Sequence, residues 1–167
     1  MVTRFTLLQF NSLFIRLCLT TIFLCAISNS GFSQKRIVQK ACFDSTLKQQ
    51  ADSLKEFLAQ KGFIVVREAT MTMESQYEMP IIVPLTDGTW YQFAFIGDHG
   101  SKLFEARMYD WVERQVAYVK NGIESNVIMF PYIPKSTEYH VLKTVQVSNN
   151  KKRKELCGYV IMFKKVK

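Results

Sequence analysis

From Phe63 onward the chain alternates polar and apolar residues in short runs closed by turn signals, a period of two that argues against helices there. Phe63, Val65, Ala69, Met71 and Met73 alternate with Glu68, Thr70, Thr72 and Glu74. Pro80 and Pro84 bracket Ile81-Ile82-Val83, which reads as an edge strand because proline cannot donate to a sheet ladder. After the Asp87-Gly88 turn, Tyr91, Phe93 and Phe95 face one way and Trp90, Gln92 and Ala94 the other. Gly97-Asp98-His99-Gly100 is the next loop, and Lys102 to Tyr109 alternates again up to a turn at Asp110-Trp111. A strand through Val116, Tyr118 and Val119 reaches an Asn121-Gly122 turn, and Asn126 to Tyr132 is the following strand. Thr137 to Ser148 and Gly158 to Phe163 read as a last hairpin whose tip holds Lys151-Lys152-Arg153-Lys154. Seven or eight strands at intervals of about 8–12 residues predict an antiparallel β-sandwich or jelly roll, a mainly β, α+β fold.

One segment breaks this pattern. Between residues 44 and 61, Leu47, Ala51, Leu54 and Leu58 recur at helical spacing, with Phe57 widening the stripe and Lys48, Gln49, Asp52, Lys55 and Glu56 opposite. Asp44 or Ser45 suits its N-cap and Gly62 its C-terminal end. An N-terminal amphipathic helix that covers one face or one end of the sandwich follows.

The first 33 residues are read apart from the fold. The first carboxylate is Asp44, and Arg4 and Arg16 precede the apolar run Leu17–Ile27, which small and polar residues follow. That is the layout of a secretory signal. Small side chains at −3 and −1 suit cleavage before Gln34 or before Gly31. A retained anchor is the alternative, although Arg16 interrupts the apolar length that spanning needs. A lipoprotein is disfavoured because Leu24 precedes Cys25, and a transit peptide because the block is solidly apolar. The domain expected from this is residues 34–167, in a secreted or periplasmic setting. Taking Arg4 and Arg16 from the 22 basic residues leaves 20 against 14 acidic ones, about +6 where the full chain has +8.

Two cysteines remain after such cleavage, Cys42 and Cys157. In an oxidising compartment an even pair is most simply a disulfide, with two separate buried thiols as the alternative. A metal pair is not expected: there is no third cysteine and neither histidine is spaced with them.

The succession Val83-Pro84-Leu85-Thr86-Asp87-Gly88-Thr89-Trp90-Tyr91-Gln92-Phe93, then Glu105–Asp110, then Glu138-Tyr139-His140-Val141, resembles small secreted bacterial β-sandwich modules of the pre-peptidase C-terminal type. The resemblance spans residues 80–145 and implies an accessory sandwich without catalytic residues of its own. The N-terminal helix and the lack of an attached peptidase domain depart from that pattern.

Catalytic and metal signals are sparse. His99 and His140 are the only histidines and no G-x-S-x-G elbow occurs. Asp98-His99 is where a small hydrolase or metal-dependent site would form, although a solvated turn explains the same residues. Asp87, Asp98 and Asp110 all fall at strand ends and would bind calcium only if those ends met. No phosphate-loop motif is present, and no cofactor is expected. The basic run 151–154 lacks interleaved aromatics, so nucleic acid is not an expected partner. It reads as a solvated tip, or as a contact to an anionic envelope polymer or lipid headgroup. Trp90 reads as core, whereas Trp111 beside a turn is a candidate for stacking on a sugar or a protein partner. The expectation is an exported, non-catalytic binding or structural envelope protein. If it binds, Asp98, His99, Trp111, Lys151, Lys152, Arg153 and Lys154 should converge on one end of the sandwich, with the membrane met only transiently through the leader. A purely structural role would instead leave an unpaired apolar edge near Ile81–Val83.

Overall fold

In the computed structural model, which describes residues 39–121 and 125–166, the helix starts on the Asp44 carboxylate. That carboxylate accepts the backbone N–H of Thr46 at 2.9 Å and of Leu47 at 3.1 Å, taking up two donors that a first turn leaves free. Helix α1 (Ser45–Gln60) runs to Lys61, and Gly62 follows at φ +75°, a conformation that a Cβ would strain. The expected leader and both cleavage positions lie outside the described residues, as does Gly122 of the Asn121-Gly122 turn.

Eight strands follow: β1 (Phe63–Glu74), β2 (Met79–Leu85), β3 (Tyr91–Gly97), β4 (Ser101–Tyr109), β5 (Gln115–Asn121), β6 (Val127–Tyr132), β7 (Glu138–Ser148) and β8 (Glu155–Lys165). They form two antiparallel sheets, β1-β8-β3-β6 and β2-β7-β4-β5. This is a jelly roll, in which most consecutive strands lie in opposite sheets. The expected hairpin of the last two strands is therefore corrected. β7 pairs with β2 and β4, β8 pairs with β1 and β3, and residues 149–154 cross from one sheet to the other.

Tyr91, Phe93 and Phe95 of β3 and Val160 and Met162 of β8 meet Met79, Ile81, Val83, Leu85, Phe104, Ala106, Met108 and Leu142 between the sheets. The opposite faces of the same two strands, Ala94, Ile96, Tyr159, Ile161 and Phe163, are buried under Leu47, Ala51 and Leu58 of α1. Two buried faces explain why residues 156–163 carry no polar alternation. Lys55 of α1 also reaches Glu68 of β1 at 2.7 Å, and the Tyr159 hydroxyl donates to the same carboxylate at 3.0 Å.

Two packing expectations change. The alternation of β1 does not hold one phase: a bulge between Val65 and Arg67 inserts a residue, so Phe63 packs under the helix while Met71 and Met73 enter the inter-sheet core. Val65 and Ala69 are exposed rather than core residues. Phe57 also lies outside the buried stripe, exposed beneath the Lys61 ammonium at 4.0 Å.

Cys42 and Cys157 form the disulfide, with Cα atoms 5.7 Å apart and a sequence separation of 115. β2 does lie at a sheet edge, and its Ile82 is exposed. That edge is not open, however. Arg67 donates to the Ile82 carbonyl at 2.8 Å and Gln39 to the Pro80 carbonyl at 3.1 Å, while Pro80 and Pro84 have no N–H to offer. Such an edge resists pairing with another copy.

Candidate functional site

Strand parity decides what each sheet shows to solvent. In the second sheet the even-numbered residues of β4 and β7 point inward, so Glu105, Arg107 and Tyr109 of β4 and Tyr139, Val141, Lys143 and Val145 of β7 point out. Helix α1 packs on β1, β3 and β8, and no described element covers this outer face.

Register sets the face in rows. Pro80, Lys143, Arg107 and Tyr118 lie side by side across β2, β7, β4 and β5, and Ile82, Val141 and Tyr109 form the next row. Trp111 at the β4–β5 turn is 67% exposed and meets Tyr139, 54% exposed, with ring centroids 6.3 Å apart. The Arg107 guanidinium lies 5.9 Å from the Tyr118 ring and the Lys143 ammonium 5.0 Å from that of Tyr109. Two carboxylates hold these cations. Glu78 pairs with Arg107 at 2.9 Å and Lys143 at 3.2 Å, and the buried Glu105 pairs with Arg107 and, at 3.5 Å, with Lys120. The Arg107 guanidinium is pushed further above its ordinary value, chiefly by its hydrogen bond to Glu105, so its charge is permanent. The result is a fixed lattice of aromatic rings and charged hydrogen-bonding groups on an uncovered sheet.

The residues singled out from sequence do not all meet. Asp98, His99 and residues 151–154 share one end, because the β3–β4 and β7–β8 crossings are joined by the N–H of Asn149 donating to the Gly100 carbonyl at 2.8 Å. Trp111 stands at the other end, where β4 finishes beside the start of β7. The expected convergence is thus corrected: the jelly roll sends these turns to opposite poles. The same register separates Asp98 from Asp87 and Asp110, so the three cannot share an ion. Among the described residues no cluster of three metal-ligating side chains occurs.

Asp98 is buried and fully engaged. It takes both nitrogens of the Arg153 fork, at 2.9 and 2.6 Å, and the backbone N–H groups of Gly100 at 2.7 Å and Cys157 at 3.2 Å. It is therefore not placed to orient His99, which is exposed on an open polar groove with Gln50, Ser101 and Asn126 and has no hydrogen-bond or ion-pair partner among the described residues. Asp110 is likewise a turn anchor, accepting the N–H of Arg114 at 2.8 Å, that of Val112 at 3.1 Å and the Arg114 side chain at 2.8 Å. His140 is fully buried, with Nε2 3.1 Å from the Tyr132 hydroxyl. Trp90, expected in the core, is 45% exposed and packs edge-on against Phe63.

No protein-family model matches the sequence, and no curated protein matches it. Among solved structures, a CBM4 module aligns with 61% of this chain and 90% of its own at 10% identity and a TM-score of 0.34. A CBM61 module in complex with β-1,4-galactotriose covers 64% of this chain and 84% of its own, at 12% identity and a TM-score of 0.35. A de novo designed double-stranded β-helix covers 58% of this chain and 99% of its own, at 11% identity and a TM-score of 0.33. The resemblance to secreted modules holds at the level of a β-sandwich; no family model matches the pre-peptidase type.

Trp111 stands out in the sequence as a candidate, whereas Tyr109, Tyr118, Tyr139, Arg107 and Lys143 do not stand out as a group. Each occupies an outward position by parity, and three tyrosines where a solvated face ordinarily carries small polar residues are the one signal of the face that the sequence holds.

Proposed function

We propose that this chain is an exported, non-catalytic binding module that holds a carbohydrate chain across the outer face of its second sheet. The observation that carries the reading is the exposed Trp111–Tyr139 pair continuing into Tyr109 and Tyr118, each of the latter beside a fixed cation. A sugar ring has apolar C–H faces and a rim of hydroxyls. Exposed aromatic rings take the faces, and prearranged charged groups take the hydroxyls through charge-assisted hydrogen bonds. Holding Arg107 and Lys143 in place through Glu78 lowers the entropy lost on binding. Export is supported by the leader layout and by a disulfide, which persists in oxidising compartments. An accessory role like that of pre-peptidase modules is compatible with a face built for binding.

Affinity electrophoresis through gels containing neutral or acidic polysaccharides tests the reading. At least one polysaccharide should retard the protein, and Trp111→Ala should weaken that retention about ten-fold or more, as truncating a central aromatic contact commonly does. Phe57→Ala, on the opposite side, should not change it. Indifference to every polysaccharide overturns the carbohydrate reading, and retention insensitive to Trp111→Ala overturns its placement on this face.

A further inference from the structure

The end of the sandwich opposite Trp111 gathers lysines that nothing holds. Lys102, Lys151, Lys152 and Lys154 are exposed, and among the described residues none forms an ion pair. Lys40 lies at the same end, since its carbonyl accepts the N–H of Thr72 near the finish of β1. Among the described residues the carboxylates at this end are Asp44, which caps α1, Asp98, which holds Arg153, and Glu74 and Glu155, against the five lysines. Among the described residues at this end, the guanidinium able to grip a phosphate in bidentate fashion, that of Arg153, is already engaged. What remains is a set of lysines, point charges suited to a diffuse anionic field rather than to one oriented ligand.

Two further features lie at this end. Phe43, beside the disulfide to Cys157, is 89% exposed, and aromatic side chains favour the headgroup region of a bilayer. Gln39, the first described residue, bonds to Pro80 at the start of β2, so the stretch carrying the apolar run Leu17–Ile27 joins the fold here.

We infer that the lysine-rich pole is a docking surface for an anionic lipid bilayer. The shared chemistry is phosphate charge, and the occupant is a membrane surface rather than a soluble polyanion. The inference is independent of the carbohydrate reading. It would stand the strands upright on the bilayer, with the aromatic face along their length and Trp111 at the distal end.

The test is partitioning of the full chain onto vesicles of pure phosphatidylcholine and onto vesicles with 30 mol% phosphatidylglycerol (about that fraction serves to set a negative surface potential). The leader carries Arg4 and Arg16 beside its apolar run and so contributes to the anionic preference itself; the change made by substituting the lysines, with the leader constant, isolates their part. Anionic vesicles should be favoured at least ten-fold at low salt, with the preference fading as salt rises. The triple variant Lys151→Gln, Lys152→Gln, Lys154→Gln should lose most of that preference, because each lysine near an anionic surface contributes roughly five-fold. Lys135→Gln, at the opposite pole, should keep it. Equal binding to both lipids, or a preference that survives the triple variant with an unchanged circular dichroism spectrum, overturns the inference. Lysine-dependent binding of soluble polyphosphate with no anionic-vesicle preference overturns it too, and makes the pole a polymer site.

Discussion

Asp98 and Asp110 look alike in sequence, each a turn aspartate at the end of a strand, and each proves to be buried against one arginine. Their consequences differ. Asp98 ties two crossings together, so Asp98→Asn should cost about 1–2 kcal/mol: hydrogen bonds to charged groups contribute about 1.5–3 kcal/mol, and the half-exposed Arg153 partner is partly screened. A urea titration with unchanged slope reads the loss, and an unaltered midpoint would mean that Arg153 is not held. Asp110 carries a pH signature. Burial alone would raise its carboxyl, but the N–H and guanidinium of Arg114, with the N–H of Val112, outweigh that and hold it below 3.8. A depressed carboxylate stabilises the fold fully above its unfolded value and loses that contribution as pH falls through the folded one. Wild type should therefore be more stable than Asp110→Asn at pH 7, with the gap closing as pH falls below 3.8 and through the lowered folded value. Parallel urea midpoints at three pH values check this. A gap that stays constant would show that the charge of Asp110 is not what matters.

At the scale of elements, most of the fold is legible in the chain itself. The helix is legible because its stripe, cap residue and terminal glycine all lie within twenty residues of one another, and the strands because alternation is repeated along each. Phase and pairing are what local patterns hide. β1 reads as one alternating run, yet its bulge at Val65/Arg67 turns Met71 and Met73 to the other face, and no residue type there announces an extra residue. β7 and β8 read as a hairpin because a polar loop of six residues joins them, but that loop is also long enough to cross between sheets. Close packing at such a crossing is testable at Gly97, the last residue of β3. A Cβ there would meet the Phe104 ring at 2.2 Å, inside the inter-sheet core. Gly97→Ala should cost about 1–3 kcal/mol through overpacking. A thermal melt within a degree of wild type would show that Phe104 relaxes freely.

At the scale of the whole molecule, the disulfide joins the segment before the helix to the strand at the centre of the covered sheet. Cys42→Ser should lower stability by about 2–5 kcal/mol, with the same shift produced in wild type by reductant and none in the variant. A variant that still responds to reductant would point to some other bond. The two poles have opposite character, aromatic near Trp111 and cationic near residues 151–154, although turn chemistry alone would put both in one site. The aromatic face also belongs to this scale: Tyr109, Tyr118 and Tyr139 sit on three strands and become neighbours only through register. Alternation, helical spacing, turn dipeptides and the cysteine pair are written in residues close together or few in number, so the sequence by itself determines them. Which sheet a strand joins, which face the helix covers and which turns share a pole depend on hydrogen-bond pairing between segments up to a hundred residues apart. Those pairings are selected by how the whole chain best buries its apolar faces, and no local stretch of sequence carries that information.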